Sequence, residues 1–294
     1  MAKDTRQASL HLGKKSKYSK IYDPSLLVRV DRRVNREGVG YKYKSESELP
    51  FIGYDVWNAY EISFLLFNGL PMSFIAKIVY SSQNEYIVES KSLKLYLNSF
   101  NGTKFEDEGE VKDIIQEDLT ALLETPVEVE FFNQKWEVEE YFSDYITLES
   151  LEGDTYNEEF SVYQEDRSLL KCDVVKSNKV QKFHSALLKS NCKITSQPDW
   201  GDVYIYIKGK KILDKMGLLK YIISFRDENH FHEEICEAIY YSLWTILKPE
   251  ELMVCCKYTR RGGISISPIR ANKESLLVKD LIDVYEYYVR DLRE

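Results

Sequence analysis

Residues 92–100 have the sequence Ser-Leu-Lys-Leu-Tyr-Leu-Asn-Ser-Phe, and residues 217–225 have the sequence Gly-Leu-Leu-Lys-Tyr-Ile-Ile-Ser-Phe. Leu, Tyr, Ser and Phe recur at the same spacing in both stretches. Two amphipathic helices can coincide in this way by chance, so the repeat alone is weak evidence. A matching order of predicted strands and helices surrounds each stretch. Together these features predict two similar α+β modules in one chain, with the break between residues 145 and 180.

The first half of the chain contains two predicted strands and one predicted helix. Residues 73–80 and 127–132 are rich in β-branched and aromatic side chains, which is typical of strands, and residues 110–123 have apolar side chains at helical spacing. Residues 1–45 are polar and basic, and this composition predicts an extended N-terminal arm.

The second half repeats this plan. Residues 193–195 and 203–208 are predicted to form the strands of a hairpin, because turn-forming residues lie between them. Residues 233–247 are predicted to form a helix, since its first turn is acidic and its apolar residues recur at helical spacing. Residues 252–258 follow as a strand, and Gly262-Gly263 permits the next turn.

The charge of the chain is distributed unevenly. The net charge is −8, but residues 106–166 contain 21 acidic residues and two lysines, so the remainder of the chain carries a net +11. The acidic segment is interpreted as a solvated surface. The basic remainder could hold a polyanionic ligand such as a dinucleotide phosphate. Outside the first 20 residues no dense basic run is interleaved with aromatic residues, so we expect no direct binding of nucleic acid.

The chain has the features of a cytoplasmic protein. The start of the sequence has no apolar stretch typical of a secretory signal, and Asn68-Gly69 and Pro71 interrupt the apolar residues 62–78, so we expect no membrane span. Five cysteines without a CxxC pair predict reduced thiols rather than a disulfide framework.

Cys192 and Asp199 form the first candidate catalytic pair. A thiolate that attacks an electrophilic carbon needs a nearby acid to protonate the anion that develops, and a cysteine seven residues before a carboxylate can place both at one sheet edge. Lys193 could lower the pKa of the thiol. Taken alone, these residues are better explained by a small buried cysteine and a turn-forming aspartate.

A second candidate group lies at the start of the predicted helix 233–247. A carboxylate such as Glu233 can accept two N–H donors of a planar base. His230, His232 and Cys236 could instead bind a metal, although their spacing matches no standard zinc pattern. Capping of the helix by its acidic residues is the structural alternative.

Two further stretches have features of phosphate-binding sites. Glu89-Ser90-Lys91 opens an apolar helix with lysines and a serine that could meet phosphate oxygens. Arg260-Arg261-Gly262-Gly263 combines guanidinium groups with a backbone that a ligand can approach closely. The sequence has neither a Walker loop nor a GxGxxG fingerprint after a strand, so it does not support a Rossmann domain.

Taken together, these motifs resemble the NADPH-dependent 7-cyano-7-deazaguanine reductases, the nitrile reductases of queuosine biosynthesis, in their long two-module form. The resemblance covers residues 49–272. It rests on five stretches in the order of the family: residues 51–61, 89–100, 190–201, 231–233 and 258–263. It implies an α+β fold of two tandem tunnelling-fold modules, with antiparallel sheets and helices packed on one face. The implied boundaries are 1–45 for the arm, 46–160 for the first module and 161–294 for the second.

The resemblance also implies roles for individual residues. Cys192 would attack the nitrile carbon to form a thioimide, Asp199 would protonate the nitrogen, and His232 would assist beside it. The implied substrate contacts are Val88, Glu89, Ser90, His232 and Glu233. The implied NADPH contacts are Ser90, Lys91, Arg261 and Gly262. No metal is implied; the partner would be a small deazapurine, and the chain would form a homodimer.

Two features depart from the family pattern. Ser265 stands where the family usually carries an acidic residue, and the acidic segment 127–159 matches the family poorly. The main alternative is a non-catalytic base-binding protein with the same pocket, but binding alone needs neither Cys192 nor Asp199. A zinc-dependent cyclohydrolase of the same fold is a second alternative, and it would need a metal cluster.

Overall fold

The structure is a computed structural model that describes residues 19, 21–43, 45, 48–133, 142–150 and 158–287. Residues 1–18, 20 and 44 of the predicted N-terminal arm, and residues 134–141 and 151–157 of the acidic segment, lie outside the described residues. No helix within the described part is long and apolar enough to cross a membrane.

The first module is a strand hairpin followed by two helices and a further strand. It consists of β2 (Ile52–Leu66), β3 (Pro71–Ser81), α2 (Ser90–Ser99), α3 (Glu108–Leu123) and β6 (Val127–Phe132). Val111, Ile115 and Leu119 of α3 are buried because they recur at helical spacing on the side that faces the sheet. The predicted strands at 73–80 and 127–132 and the predicted helix at 110–123 are therefore confirmed.

The second module repeats this order and completes it with a fourth strand. It consists of β8 (Cys172–Cys192), β9 (Pro198–Leu213), α4 (Lys215–Ser224), α5 (His232–Leu247), β11 (Glu251–Tyr258) and β12 (Ile264–Ala271). The predicted helix at 233–247 and strand at 252–258 are confirmed. Gly262 and Gly263 turn the chain with φ values of 61° and 82°, a conformation that glycine adopts without strain.

The two repeated stretches occupy equivalent places in their modules. Both α2 and α4 have ten residues, and the hydroxyl of the recurring serine donates to the carbonyl of the recurring tyrosine at 2.6 Å, Ser99 to Tyr96 and Ser224 to Tyr221. The longer helices α3 and α5 each have 16 residues. The predicted α+β fold of two tandem tunnelling-fold modules is confirmed, while the exact boundaries at 45/46 and 160/161 stay a prediction.

One sheet runs through both modules. Strand β12 pairs with β2 in antiparallel register from Ile264 opposite Ala59 to Ala271 opposite Ile52. The four helices α2–α5 cover one face: Leu252, Val254 and Cys256 of β11 pack in the core with α4 and α5. On the opposite face the short helix α6 (Lys279–Ile282) and its neighbours cover a smaller apolar cluster.

Short parallel strands close the ends of both hairpins. In the first module Leu66, the last residue of β2, pairs with Phe105 of β5 (Lys104–Phe105). In the second module Cys192, the last residue of β8, pairs with His230 of β10 (Asn229–His230). Leu66 and Cys192 therefore hold equivalent positions. A further short strand, β7 (Ile146–Thr147), pairs with the middle of β8.

The N-terminal segment corrects one prediction. Its described part is not an extended arm: β1 (Arg29–Asp31) pairs with β4 (Tyr86–Val88), and α1 (Arg32–Gly38) packs against α5. The basic composition was misleading because Arg32 and Arg36 are buried, and their charges are paired with Asp55 and Glu237. Long-range pairing of this kind leaves no local signal in the sequence.

The hairpin of the second module corrects another prediction. Residues 193–195 do not form a strand. They lie in the turn between β8, which ends at Cys192, and β9, which begins at Pro198. Ser196 adopts a left-handed conformation with φ 54° and donates its N–H to the Cys192 carbonyl at 2.9 Å. The β-branched Ile194 and Thr195 indicated a strand, but this local turn prevails.

Candidate active site

A cavity of about 280 Å³ opens where the two modules meet. The first module contributes the end of β4 and the start of α2, and Trp57 of β2 lines the cavity together with Ile264 and Ile266 of β12. The second module contributes the turn after β8, the start of β9, the start of α5 and the turn before β12. Residues from both modules are therefore needed to form the site.

Most of the residues predicted from the sequence line this cavity. They are Val88, Ser90, Lys91, Cys192, Asp199, His232, Glu233, Arg261 and Gly262. They come from separate segments between residues 88 and 262, which the fold brings together. Cavity residues to which the sequence analysis gave no role include Trp57 and Phe231. Both lie within the stretches that carry the family resemblance, and this was the available signal.

Backbone hydrogen bonds hold Cys192 at the start of the turn between β8 and β9. Its N–H donates to the Gln197 carbonyl at 2.8 Å and its carbonyl accepts from Ser196, so the turn is closed from both sides. The cysteine is half-buried and its thiol is free of any disulfide. A thiol in the wall of a cavity, on a rigid turn, is well placed to act as a nucleophile.

Asp199 is the centre of a small polar group in the cavity wall. One carboxylate oxygen accepts a hydrogen bond from Arg261, and the other lies 3.3 Å from Nε2 of His232. The His232 ring stacks on Tyr258 with 3.8 Å between ring centroids and 8° between planes, and this contact fixes its orientation. Arg261, which was expected at a cofactor phosphate, is thus bonded to the predicted acid in this structure.

Glu233 is buried at the first turn of α5, and its Oε1 has no hydrogen-bond partner among the described residues. Burial and the charge of Asp55 raise the pKa of Glu233 to about 8, although the charges of Arg32 and Arg270 act against this. Buried oxygens are normally hydrogen-bonded, so an unpartnered carboxylate oxygen in a cavity wall is a candidate acceptor for ligand N–H groups.

Glu89 was predicted to contact the substrate, but unlike Val88, Ser90 and Lys91 it does not line the cavity. It is the N-cap of α2, and its two carboxylate oxygens accept the N–H groups of Lys91 at 3.0 Å and Ser92 at 2.8 Å. In this structure its carboxylate therefore serves the helix start, which in turn holds Ser90 and Lys91 at the cavity.

Positive charge is concentrated on one side of the cavity. Lys91, Lys94 and Arg261 all line it. Gly262 lies against Lys94 with φ 61°, and a Cβ atom there would come within 3.1 Å of the Lys94 ammonium. Cationic side chains beside a glycine backbone suit the phosphates of a dinucleotide, so the residues present fit a nicotinamide dinucleotide.

The residues considered as metal ligands do not converge. Nδ1 of His230 lies 2.8 Å from Glu234, whereas the buried Cys236 thiol contacts the backbone carbonyls of Val254 and Pro268. Within the described ranges, no group of three or more His, Cys, Asp or Glu side chains could hold a metal ion.

Two segments of the chain match models of known protein families. Residues 18–131 match the family model described as nitrile reductase, 7-cyano-7-deazaguanine-reductase N-term, and residues 198–276 match the model described as QueF-like protein. The chain belongs to the 7-cyano-7-deazaguanine reductase family of nitrile reductases, in a two-module form. Cys192 lies between the two matched segments.

A solved structure, the archaeosine synthase QueF-Like in the apo form, is also similar to part of the chain. It is 19% identical, with a TM-score of 0.29, and the match covers 32% of this chain and 92% of that one.

Proposed function

We propose that this protein reduces the nitrile of 7-cyano-7-deazaguanine to a primary amine, with NADPH as the hydride donor, in the biosynthesis of queuosine for tRNA. The observation that carries the proposal is the presence of Cys192, Asp199, His232 and Glu233 around one cavity, beside a cationic side that fits a dinucleotide. A pocket that merely bound a base would have no use for a thiol beside an acid.

Glu233 would hold the base, because its carboxylate, whose Oε1 has no hydrogen-bond partner among the described residues, can accept N–H groups of a guanine-like edge. Val88 and Ser90 would contact the base from the first module. With the base fixed in this way, the nitrile at its opposite end would be directed toward the thiol of Cys192.

The first chemical step would be addition of the thiol across the nitrile. Asp199 takes the proton of the Cys192 thiol, and the sulfur then forms a bond to the nitrile carbon. One π-electron pair moves onto the nitrogen, which receives the proton from Asp199. The carboxylate ends the step as it began, and the product is a thioimide. His232, held on Tyr258, would position the nitrogen.

Bound NADPH would supply hydride, twice in each complete reaction. Ser90, Lys91, Arg261 and Gly262 would hold it on the cationic side of the cavity. Two hydrides and two protons convert the nitrile into an aminomethyl group. The carbon–sulfur bond breaks between the two reductions, and this returns Cys192 to the thiol. The homodimer and the cytoplasmic location stay predictions.

The test is the oxidation of NADPH in the presence of 7-cyano-7-deazaguanine, with Cys192→Ala as the comparison. We expect two equivalents of NADPH per nitrile for the native protein and none for the variant. Undiminished turnover of Cys192→Ala would exclude this cysteine as the nucleophile. Binding of the base without turnover by the native protein would instead indicate a non-catalytic pocket.

A further inference from the structure

Lys193 follows the candidate nucleophile directly, but its ammonium group makes contacts elsewhere. Nζ donates to Oδ1 of Asn35 at 2.9 Å and lies 3.2 Å and 3.3 Å from the two carboxylate oxygens of Glu234. Asn35 belongs to α1, 158 residues away in the sequence. A side chain of the turn that follows Cys192 is thus hydrogen-bonded to a helix of the N-terminal segment.

Glu234 connects this contact to the other side of the site. Its Oε2 accepts the N–H of Phe231 at 3.3 Å, and its Oε1 lies 2.8 Å from Nδ1 of His230. His230 is the strand partner of Cys192, and Phe231 lines the cavity. The same buried carboxylate therefore joins the start of α5 to the turn that begins at Cys192.

The helix that carries Asn35 is firmly anchored. Arg36 donates to both carboxylate oxygens of Glu237 at 2.8 Å and 2.9 Å, and Tyr41 donates to the Glu237 carbonyl at 2.8 Å. Arg32 binds Asp55 at 2.5 Å. All four charged side chains are buried, and breaking such pairs is costly, so α1 is a fixed support for Asn35.

We propose that Asn35 and Lys193 are positioning residues: through the contact between them, α1 holds the turn of residues 193–197 and thereby the direction of the Cys192 thiol. The ammonium group of Lys193 is paired with Glu234 at 3.2 Å, and the role that we assign to Lys193 is mechanical. The inference rests on the proposed function, because it takes Cys192 as the nucleophile.

The central experiment separates anchoring from charge. Asn35→Leu removes the anchor and leaves the Lys193 charge in place, whereas Lys193→Met removes both. Asn35→Asp retains an acceptor for the ammonium and serves as the conservative variant. Lys176→Met, at an exposed lysine of β8, is the matched control. The rate of covalent adduct formation with saturating 7-cyano-7-deazaguanine, without NADPH, is measured by intact mass.

We expect Asn35→Leu and Lys193→Met to slow adduct formation by about 10- to 100-fold, since a displacement of about 1 Å can cost this much. Asn35→Asp and Lys176→Met should keep the native rate, and the affinity for the nitrile should change little. The pH midpoint of Cys192 alkylation, followed by peptide mass spectrometry, should stay that of the native protein. A native rate for Asn35→Leu would overturn the proposal, as would a raised midpoint in Lys193→Met alone.

A second measurement does not depend on turnover. Hydrogen exchange at the Cys192 and Ser196 amides, which close the turn, should accelerate in Asn35→Leu and stay native in Asn35→Asp. Failure of the native protein to form an adduct would refute the proposed function, yet this exchange would still test the anchor. Unchanged exchange in Asn35→Leu would overturn the anchor itself.

Discussion

Glu233 and Glu237 lie one turn apart on α5, and their carboxyl groups have opposite properties although both are buried. Burial and the charge of Asp55 raise the pKa of Glu233 to about 8. Burial would raise the pKa of Glu237 as well, but Arg36 and Arg270 outweigh it and lower that pKa to about 2. The carboxylate of Glu237 is therefore paired with arginines of the protein, whereas the carboxyl group of Glu233 is available to a ligand.

The raised pKa of Glu233 predicts that base binding releases a proton. Below about pH 8 the free protein holds Glu233 protonated, whereas ligand N–H donors favour the carboxylate. Affinity for 7-cyano-7-deazaguanine should thus rise from pH 6 to about pH 8 and then level off. Calorimetry at pH 7 in buffers of different ionisation enthalpy measures the proton directly. Glu233→Gln should abolish the release, and a native protein that releases no proton would contradict this role.

Glu237→Gln is expected to destabilise the fold. The substitution leaves Arg36 and Arg270 buried with one carboxylate partner fewer, and the loss of one member of such a pair costs about 3–5 kcal/mol. Denaturation by urea measures the free energy of unfolding. Glu128→Gln, at an exposed position of β6, is the control and should change it by less than about 0.5 kcal/mol. Because the pKa of Glu237 is lowered, its contribution is present above about pH 4.5 and is lost as the pH falls toward 2.

Asp199→Asn should slow formation of the thioimide. The amide cannot accept the thiol proton and pass it to the nitrogen, and general acid–base catalysis of this kind contributes about 10²- to 10⁴-fold. Adduct formation without NADPH is followed by intact mass. The control is Asp202→Asn, which alters a carboxylate of the same strand that contacts His184. An Asp199→Asn variant with the native rate would remove the carboxyl group from the mechanism.

Trp57→Phe should weaken binding of the base. Trp57 lines the cavity, and its buried indole N–H has no hydrogen-bond partner among the described residues. This N–H can therefore donate a hydrogen bond to an acceptor atom of the ligand. A neutral hydrogen bond contributes about 1 kcal/mol, which corresponds to a loss of affinity of roughly fivefold. Equilibrium binding of 7-cyano-7-deazaguanine is the measurement. Trp244→Phe, away from the cavity against Tyr240, should keep the native affinity; equal losses in both variants would count against a specific contact.

The two-module fold could be predicted because its signal is local and repeated. The tyrosine and phenylalanine rings at 96–100 and 221–225 pack against each other in the same way in both modules. In each module the serine hydroxyl donates to the carbonyl of that tyrosine, one turn earlier in the helix. The candidate site residues could be named from motifs, and the fold brings nine of them to one cavity.

The remaining features depend on contacts that sequence spacing does not encode. Arg36 meets Glu237 across 201 residues, so the N-terminal segment was predicted to be an arm rather than a buried support. Glu89 was assigned to the substrate, but a carboxylate directly before a helix can equally serve its free N–H groups, and here it does so. The turn after Cys192 contains strand-forming side chains, yet its own backbone hydrogen bonds determine its shape.

The equivalence of Leu66 and Cys192 bears on how many reactions one polypeptide can run at once. Each module has one such position at the end of its hairpin. Cys192 provides a thiol there in the second module, whereas Leu66 provides a hydrocarbon side chain in the first. In the absence of NADPH, each polypeptide should therefore form a covalent adduct with a single equivalent of nitrile. The first module has no nucleophile at this position. Its side chains would bind the ligand that the second module converts.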